Sequence, residues 1–118
     1  MSAGCIFCKI IAGEIQSPRV REDENAIVIR DLHPQARVHL LVIPKRHVTH
    51  LDELHLQKDG TALAGSLLAM TAMVARSEGL MPGGYRVVTN ANAGGGQSVY
   101  HLHFHLLGGE QLSGGFGA

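Results

Sequence analysis

The sequence has no tryptophan, few other aromatic residues and no excess of charge of either sign. Its 10 basic residues balance its 10 acidic ones, so the formal net charge is zero. Lysine and arginine form no run, whereas proteins that bind nucleic acid through its phosphates present a basic patch. We therefore expect no nucleic-acid partner.

Long apolar segments are also missing. No stretch approaches the roughly 20 apolar residues that a membrane-spanning helix needs, and the N-terminus lacks the charged-then-apolar pattern of a secretory signal. The only cysteines are Cys5 and Cys8, which do not indicate the disulfide framework of a secreted domain. These observations predict a soluble, cytoplasmic protein without a membrane partner.

The length of 118 residues suits one domain, which we expect to span 1–118 with a flexible tail from about 112 to 118. Apolar residues spaced three and four apart predict an amphipathic helix from about 59 to 78, with Asp59 as its N-cap. A short helix is predicted within residues 4–12.

Runs of apolar, β-branched residues predict strands, and charged residues 19–24 predict a solvated hairpin edge. Strands separated by one long helix, with mostly short connections, favour an α+β fold with a largely antiparallel sheet. The predicted strands are Ala26 to Ile29, Val38 to Ile43, Tyr85 to Thr89 and Tyr100 to Leu107.

Three histidines, His101, His103 and His105, alternate with apolar residues near the C-terminus. In a strand, side chains at i, i+2 and i+4 point the same way, so the imidazoles are expected to line one face. Same-face Cα atoms lie about 6.6 Å apart, so three histidines on one straight strand do not easily share a metal. We interpret the run as a chemical site with divided roles; the alternative is a surface strand with polar alternation.

A glycine-rich segment, Gly94-Gly95-Gly96-Gln97-Ser98, directly precedes the histidines. Glycines let backbone N–H groups approach an anion closely, and the glutamine and serine add side-chain donors. Alone, such a loop is usually only a turn. Beside aligned imidazoles, which can attack phosphorus, it indicates phosphoryl or nucleotidyl transfer.

The segment from Gly95 to Gly109, GGQSVYHLHFHLLGG, resembles the signature of the histidine-triad (HIT) family and is most similar to its Hint branch of nucleoside phosphoramidases. Further matches at 6–11, 30–36 and 42–47 extend the resemblance over nearly the whole chain. It implies a HIT-like α+β fold with a mainly antiparallel five-stranded sheet, one long helix and one short N-terminal helix. It also implies a homodimer, a purine nucleotide ligand (AMP or GMP derivatives) and no metal required for catalysis.

The same resemblance implies a role for each matched residue. His103 matches a nucleophile that forms a nucleotidyl-imidazole intermediate, His105 a phosphate contact, and Gln97 and Ser98 donors to phosphate oxygens or the leaving group. Asp31 matches a carboxylate that binds ribose hydroxyls, although a turn-initiating aspartate is an alternative from the residues alone. The other implied site residues are His39 and His101 in the histidine cluster, Leu32 beside the ribose, Asn90 and Gly96 on the phosphate side, and Phe7, Ile15 and Ile29 around the purine.

Cys5-x-x-Cys8 has the ligand spacing of a structural zinc site, which needs two further ligands. Relatives that carry this pair resemble zinc proteins whose other ligands match His47 and His101. Two alternatives remain open: buried cysteines that act as small hydrophobic residues, and a redox pair, for which a thioredoxin-like context is absent.

The implied activity is hydrolysis of purine nucleoside phosphoramidates, such as AMP–amine or aminoacyl-adenylate-like conjugates. A dinucleoside polyphosphate hydrolase, as in the Fhit branch, is one alternative, and a non-catalytic nucleotide- or partner-binding module is another. The tail Leu112 to Ala118 departs from the tryptophan-containing tail of animal members. Phe116 is the aromatic residue of this tail. Because the tails differ, we do not transfer the leaving-group preference of the animal members to this chain.

Overall fold

The computed structural model describes residues 4–115, and its described part contains one five-stranded antiparallel sheet and three helices. The sheet has the spatial order β1-β2-β3-β5-β4. Among the described residues, no helix is long and apolar enough to cross a membrane. In sequence order, the α-helices and strands are α1 (Ile6–Ile11), β1 (Arg19–Glu22), β2 (Ala26–Arg30), β3 (Val38–Pro44), α2 (Leu51–Leu56), α3 (Gly60–Ser77), β4 (Tyr85–Val88) and β5 (Phe104–Gly108). The predicted α+β fold is confirmed, and Phe116 in the predicted tail lies outside the described residues.

The central strands β2 and β3 are buried on both faces, which explains why their sequences are nearly continuous apolar runs. On one face, Val28 and Leu40 belong to a large apolar cluster with α2 and α3. On the other, Ile29 and Leu41 belong to a smaller cluster with α1. The sheet therefore separates the main core from the α1 face.

Strand β5 begins at Phe104, so the predicted strand Tyr100 to Leu107 is wrong over its first half. Its ladder with β3 ends at the pair of Val42 with Phe104, and the chain before it turns toward the segment after β3, where the Leu102 amide donates to the Val48 carbonyl at 2.7 Å. His101 and His103 consequently lie outside the strand. The alternation itself persists, because Leu102, Phe104 and Leu106 are all buried in the large cluster.

The junction between α2 and α3 also differs from prediction, since α2 was not predicted. Asp59 occupies the N-cap position of α3 with a left-handed φ of 61° but makes no capping bond. Its carboxylate instead accepts two bonds from the Arg46 guanidinium, both at 3.0 Å. Gly60 packs so tightly that a Cβ there would lie 2.0 Å from the Leu54 carbonyl oxygen.

Candidate active site and candidate metal centre

A cleft of about 560 Å³ opens on the sheet face that carries α1. The chain supplies its walls from β3, β4, β5, the glycine loop and the segment after β5. Residues of the wall that were not predicted include Gln35, Arg86 and Glu110. The predicted residues that line it are His39, Asn90, Gly96, Ser98, His103 and His105.

His103 is held in one tautomer by the main chain. Its Nδ1 lies 2.7 Å from the carbonyl oxygen of His101, which can only accept, so Nδ1 carries the proton and Nε2 the lone pair. The side chain is 8% exposed, and burial lowers the pKa of His103, outweighing the opposing effects of that hydrogen bond and of Asp31. A neutral imidazole with a defined lone pair is the form that can act as a nucleophile.

The tautomer of His105 is the opposite one. The Gln35 amide donates to His39 Nδ1 at 3.0 Å, so His39 carries its proton on Nε2 and donates it to His105 Nδ1 at 2.9 Å. His105 therefore keeps its own proton on Nε2. Burial lowers the pKa of His105 to about 4 and also lowers the pKa of His39, so both rings are neutral at pH 7.

A lone pair and an N–H donor thus lie side by side at one wall of the cleft. The ring centroids of His103 and His105 are 5.0 Å apart. A phosphoryl group placed against both rings meets a nucleophile and a donor to one of its oxygens. The cleft therefore combines a nucleophile, His103, with a hydrogen-bond donor, His105, for one phosphoryl group.

Gln97 organises the glycine loop rather than lining the cleft. Its Nε2 donates to the carbonyls of Thr49 at 2.7 Å and Val99 at 3.0 Å, while its Oε1 accepts from the Asn92 amide at 2.7 Å. Both amide protons are therefore used within the protein. Its neighbour Ser98 lines the cleft, and Gly96 adopts a φ of 77°, which favours glycine at this turn.

Asp31 has the turn-forming role that its sequence position left open, and its ribose-binding role stays a prediction. Its Oδ1 accepts from the His33 amide at 2.8 Å, which is the turn-forming role, while Oδ2 lies 3.4 Å from His39 Nε2. With Leu32, which is 86% exposed, it borders a separate groove of about 360 Å³.

The residues predicted around a purine do not form one cavity. Phe7 is buried and touches the His103 ring edge-on, with centroids 5.1 Å apart. Ile29 is buried in the small cluster, and Ile15 borders a third groove with Pro18.

The predicted metal ligands do converge. Ligand atoms of Cys5, Cys8, His47 and His101 all lie within 4.8 Å of one another. The distances are 3.2 Å from Cys5 Sγ to His101 Nδ1, 3.1 Å from Cys8 Sγ to His47 Nδ1, and 3.2 Å between the two Nδ1 atoms. Tetrahedral zinc with Zn–S of about 2.3 Å and Zn–N of about 2.0 Å separates its ligand atoms by about 3.3 to 3.8 Å.

The hydrogen bonding of His101 also suits a metal. Its Nε2 donates to the Pro44 carbonyl at 2.8 Å, so the lone pair is on Nδ1, the atom that faces the cysteines and His47. The ring is fully buried, and burial lowers the pKa of His101 to about 4. The donor set and its outer hydrogen bond fit a structural zinc ion.

A second cluster, Asp31, His39 and His105, has the right residue types for a metal but not the right proton positions. Because His39 Nδ1 accepts the Gln35 amide proton, Nε2 must keep its own proton and cannot ligate without forming an imidazolate. We therefore interpret this cluster as a hydrogen-bonded relay and not as a metal site.

The chain is similar to known proteins over most of its length. A family profile described as "HIT domain" matches residues 12–112. The purine nucleoside phosphoramidase of Escherichia coli (strain K12) is 38% identical over 112 residues, which cover 95% of this chain and 92% of that protein. A 14 kDa zinc-binding protein of Zea mays is 45% identical over 113 residues, covering 92% and 84% of the two chains.

Solved structures with the same fold are named as members of the same family. A HIT family hydrolase from Legionella pneumophila is 46% identical, with a TM-score of 0.88, and the match covers 94% of this chain and 97% of that one. A histidine triad protein from Clostridium difficile is 35% identical, with a TM-score of 0.91 over 98% of this chain and 99% of that one.

Proposed function

Because this chain belongs to the HIT domain family, we propose that it is a hydrolase that cleaves purine nucleoside phosphoramidates through a nucleotidyl-imidazole formed on His103. The observation that carries this proposal is the pair of neutral imidazoles in one cleft, with the lone pair of His103 and the N–H of His105 on adjacent rings. The phosphoramidase activity of the Escherichia coli relative supports the choice of substrate class.

The first step breaks the phosphorus–nitrogen bond of the substrate. The lone pair on His103 Nε2 attacks phosphorus, and the leaving amine departs with the bonding pair and takes up a proton from solvent. The ring becomes positively charged, and the His101 carbonyl that accepts its Nδ1–H stabilises that charge. His105 donates its N–H to a phosphoryl oxygen, where negative charge accumulates.

The second step releases the nucleotide. Water attacks phosphorus and releases one proton to solvent, the bond from phosphorus to Nε2 breaks, and the electron pair returns to the imidazole. This proton balances the one that the amine takes up in the first step. The products are a nucleoside monophosphate and the free amine, and His103 returns to its starting tautomer. Apart from water, every group used belongs to the chain or the substrate, so we propose that catalysis requires no cofactor.

The nucleoside is proposed to lie along the groove that borders Asp31 and Leu32. The carboxylate can accept from both ribose hydroxyls, because an ionised carboxyl group has about four acceptor positions. We propose AMP and GMP derivatives as ligands and the cytoplasm as location.

We further propose that Cys5, Cys8, His47 and His101 hold one structural zinc ion. The fit of their distances and of the His101 tautomer supports this, as does the zinc-binding relative in Zea mays. A bound zinc ion would join α1 to the segments that follow β3 and precede β5.

A homodimer is proposed from the two edges of the sheet. The β1 edge is charged and has an irregular register between Arg19 and Arg21, features that discourage pairing with another strand. The β4 edge instead exposes Tyr85 and Val87. An exposed apolar edge strand is suited to pairing with a second copy of the chain.

Substitution of the nucleophile tests the proposed function. We expect His103→Ala to bind AMP with unchanged affinity but to lose turnover of an adenosine phosphoramidate by several orders of magnitude, because the covalent route is gone. Mass spectrometry of the quenched wild-type reaction should find a nucleotide adduct on His103. His55→Ala, which changes an exposed histidine on α2, is the matched control and should retain activity.

Three results would contradict the proposal. Unchanged turnover by His103→Ala would exclude this nucleophile. A wild type that binds AMP but shows neither turnover nor an adduct would favour a binding module. Cleavage of diadenosine triphosphate with no cleavage of the phosphoramidate would instead assign a dinucleoside polyphosphate hydrolase.

A further inference from the structure

We propose that the cysteine–histidine metal centre positions the nucleophile of the proposed reaction, with His101 as the residue that joins the two sites. This inference rests on the proposed function, because it assigns the metal centre a part in the reaction of His103. The ring of His101 belongs to the metal centre, and its carbonyl oxygen holds the nucleophile.

The first support is that one residue serves both sites. His101 Nδ1 lies 3.2 Å from Cys5 Sγ and 3.2 Å from His47 Nδ1, while the carbonyl oxygen of the same residue accepts from His103 Nδ1 at 2.7 Å. Any movement of the His101 main chain therefore displaces the acceptor that fixes the tautomer of His103.

The second support is how little else holds this stretch of main chain. Residues 101–103 lie outside β5 and have no ladder to β3. Three described anchors hold them: the Leu102 amide donates to the Val48 carbonyl, the Thr89 hydroxyl donates to the His103 carbonyl at 2.8 Å, and the ring of His101 is held through Pro44 at 2.8 Å and through the metal centre. Of these, only the ring acts on residue 101 itself. The imidazole of His101 is thus a main support for the carbonyl of His101.

A third support comes from α1, which supplies both cysteines. Phe7 lies between them in sequence, and its ring touches the rings of His101 and His103 edge-on, with centroids 5.8 and 5.1 Å apart. A metal that binds Cys5 and Cys8 holds Phe7 in place as well. The nucleophile is therefore bounded from two sides by groups that the metal centre fixes.

A bound zinc ion takes the lone pairs of His47 and His101 and both thiolates. In the metal-free chain no ion joins these ligand atoms, so on that side the ring of His101 keeps only weaker contacts, such as those at 3.2 Å with Cys5 Sγ and His47 Nδ1, and it can shift. The acceptor of His103 then shifts, and His103 populates both tautomers. The expected consequence is a slower covalent step with little change in nucleotide binding.

The experiment compares three full-length proteins at one pH: the zinc-loaded wild type, the Cys5→Ser/Cys8→Ser double variant and Ile6→Ala. Ile6 lies between the same cysteines but is 44% exposed, so its variant is a control for disturbance of α1. For each we would measure zinc per chain, the tautomer of His103 by nitrogen-15 NMR, AMP affinity, and the rate of adduct formation.

We expect one zinc per chain and a single His103 tautomer, protonated at Nδ1, in the wild type and Ile6→Ala. The double variant should lose zinc, show two tautomers in exchange and form the adduct about tenfold more slowly, the cost of losing one fixed hydrogen bond, with AMP affinity within about twofold. If the double variant does not fold, the wild type stripped by a chelator and then reloaded with zinc provides the same comparison.

Equal tautomers and equal adduct rates with and without zinc would overturn the inference, and so would a double variant that still binds zinc. A loaded wild type that forms no adduct at all would instead refute the proposed function. The NMR comparison would then still decide whether the metal centre positions His103.

Discussion

At the scale of single residues, three neighbouring histidines differ because the main chain offers each a different partner. His101 donates from Nε2, His103 donates from Nδ1, and His105 accepts at Nδ1. The spacing alone predicted that the three would not share one metal, and only His101 lies in the metal centre. The tautomers of His101 and His105 were beyond prediction, since they depend on Pro44 and, through His39, on Gln35, which are distant in sequence.

The hydrogen bonds of Gln97 could not be predicted for the same reason, since they join residues distant in sequence. A glutamine beside a glycine loop suggests a donor to phosphate, yet its amide closes the loop onto Thr49, 48 residues earlier. The sequence cannot reveal such a partner, because it exists only after the segment following β3 has packed against the loop. The phosphate contacts implied for Gln97 and for Ser98 both stay predictions.

The buried histidines make stability depend on pH. The pKa of His105 is about 4 in the folded chain against an ordinary 6.5, because burial, His103 and His39 oppose its charge more than Asp31 favours it. The unfolded chain therefore binds more protons between these values, so the free energy of unfolding should fall as pH drops from about 6.5 to 4. We expect the urea midpoint to decrease between pH 7 and 4.5, and to decrease less in His105→Gln.

The control for this measurement is His55→Gln, an exposed histidine on α2, which should keep the wild-type dependence on pH. His39 adds to the effect, since burial lowers its pKa too, so the variant should weaken the decrease and not abolish it. An identical decrease in His105→Gln and the wild type would show that this ring is not buried in its neutral form.

At the scale of elements, local pattern predicted those segments whose environment is uniform along their length. β2 and β3 are apolar apart from Arg30 and His39 because both faces are covered, and α3 shows one apolar stripe because one face is covered. β5 was placed too early because the alternation of apolar residues with histidines continues before Phe104, where the ladder has already ended and residues 101–103 are all buried. α2 was missed because, unlike α1 of the same length, it buries only Leu54 and its sequence shows no apolar stripe.

The contact between α2 and α3 yields a matched pair of glycine substitutions. Gly60→Ala should destabilise the protein by about 2 kcal/mol, because its Cβ would lie 2.0 Å from a main-chain oxygen of Leu54 that cannot move alone. Gly65→Ala, on the exposed side of the same helix with nothing within 4 Å, should stabilise it by about 1 kcal/mol. Urea unfolding of both variants measures the difference, and equal midpoints would contradict the tight junction.

At the scale of the whole molecule, the two edges of the sheet differ in character, and the difference predicts how copies associate. We expect the chain to sediment as a dimer of 12.6 kDa subunits, joined at β4. Val87→Lys should shift it toward the monomer, because a charge replaces an exposed apolar side chain at the proposed contact. Arg21→Gln on the β1 edge is the control and should remain dimeric; a wild type that sediments as a monomer would refute the proposed pairing.

The sheet carries its larger apolar cluster on one side and the cleft on the other. Gln35, Arg86 and Glu110 border the cleft and take no part in that cluster. A laboratory library that varies these three positions can therefore explore new leaving groups while the scaffold beneath stays intact. The same division gives evolution room to change what the enzyme accepts without having to rebuild how it folds.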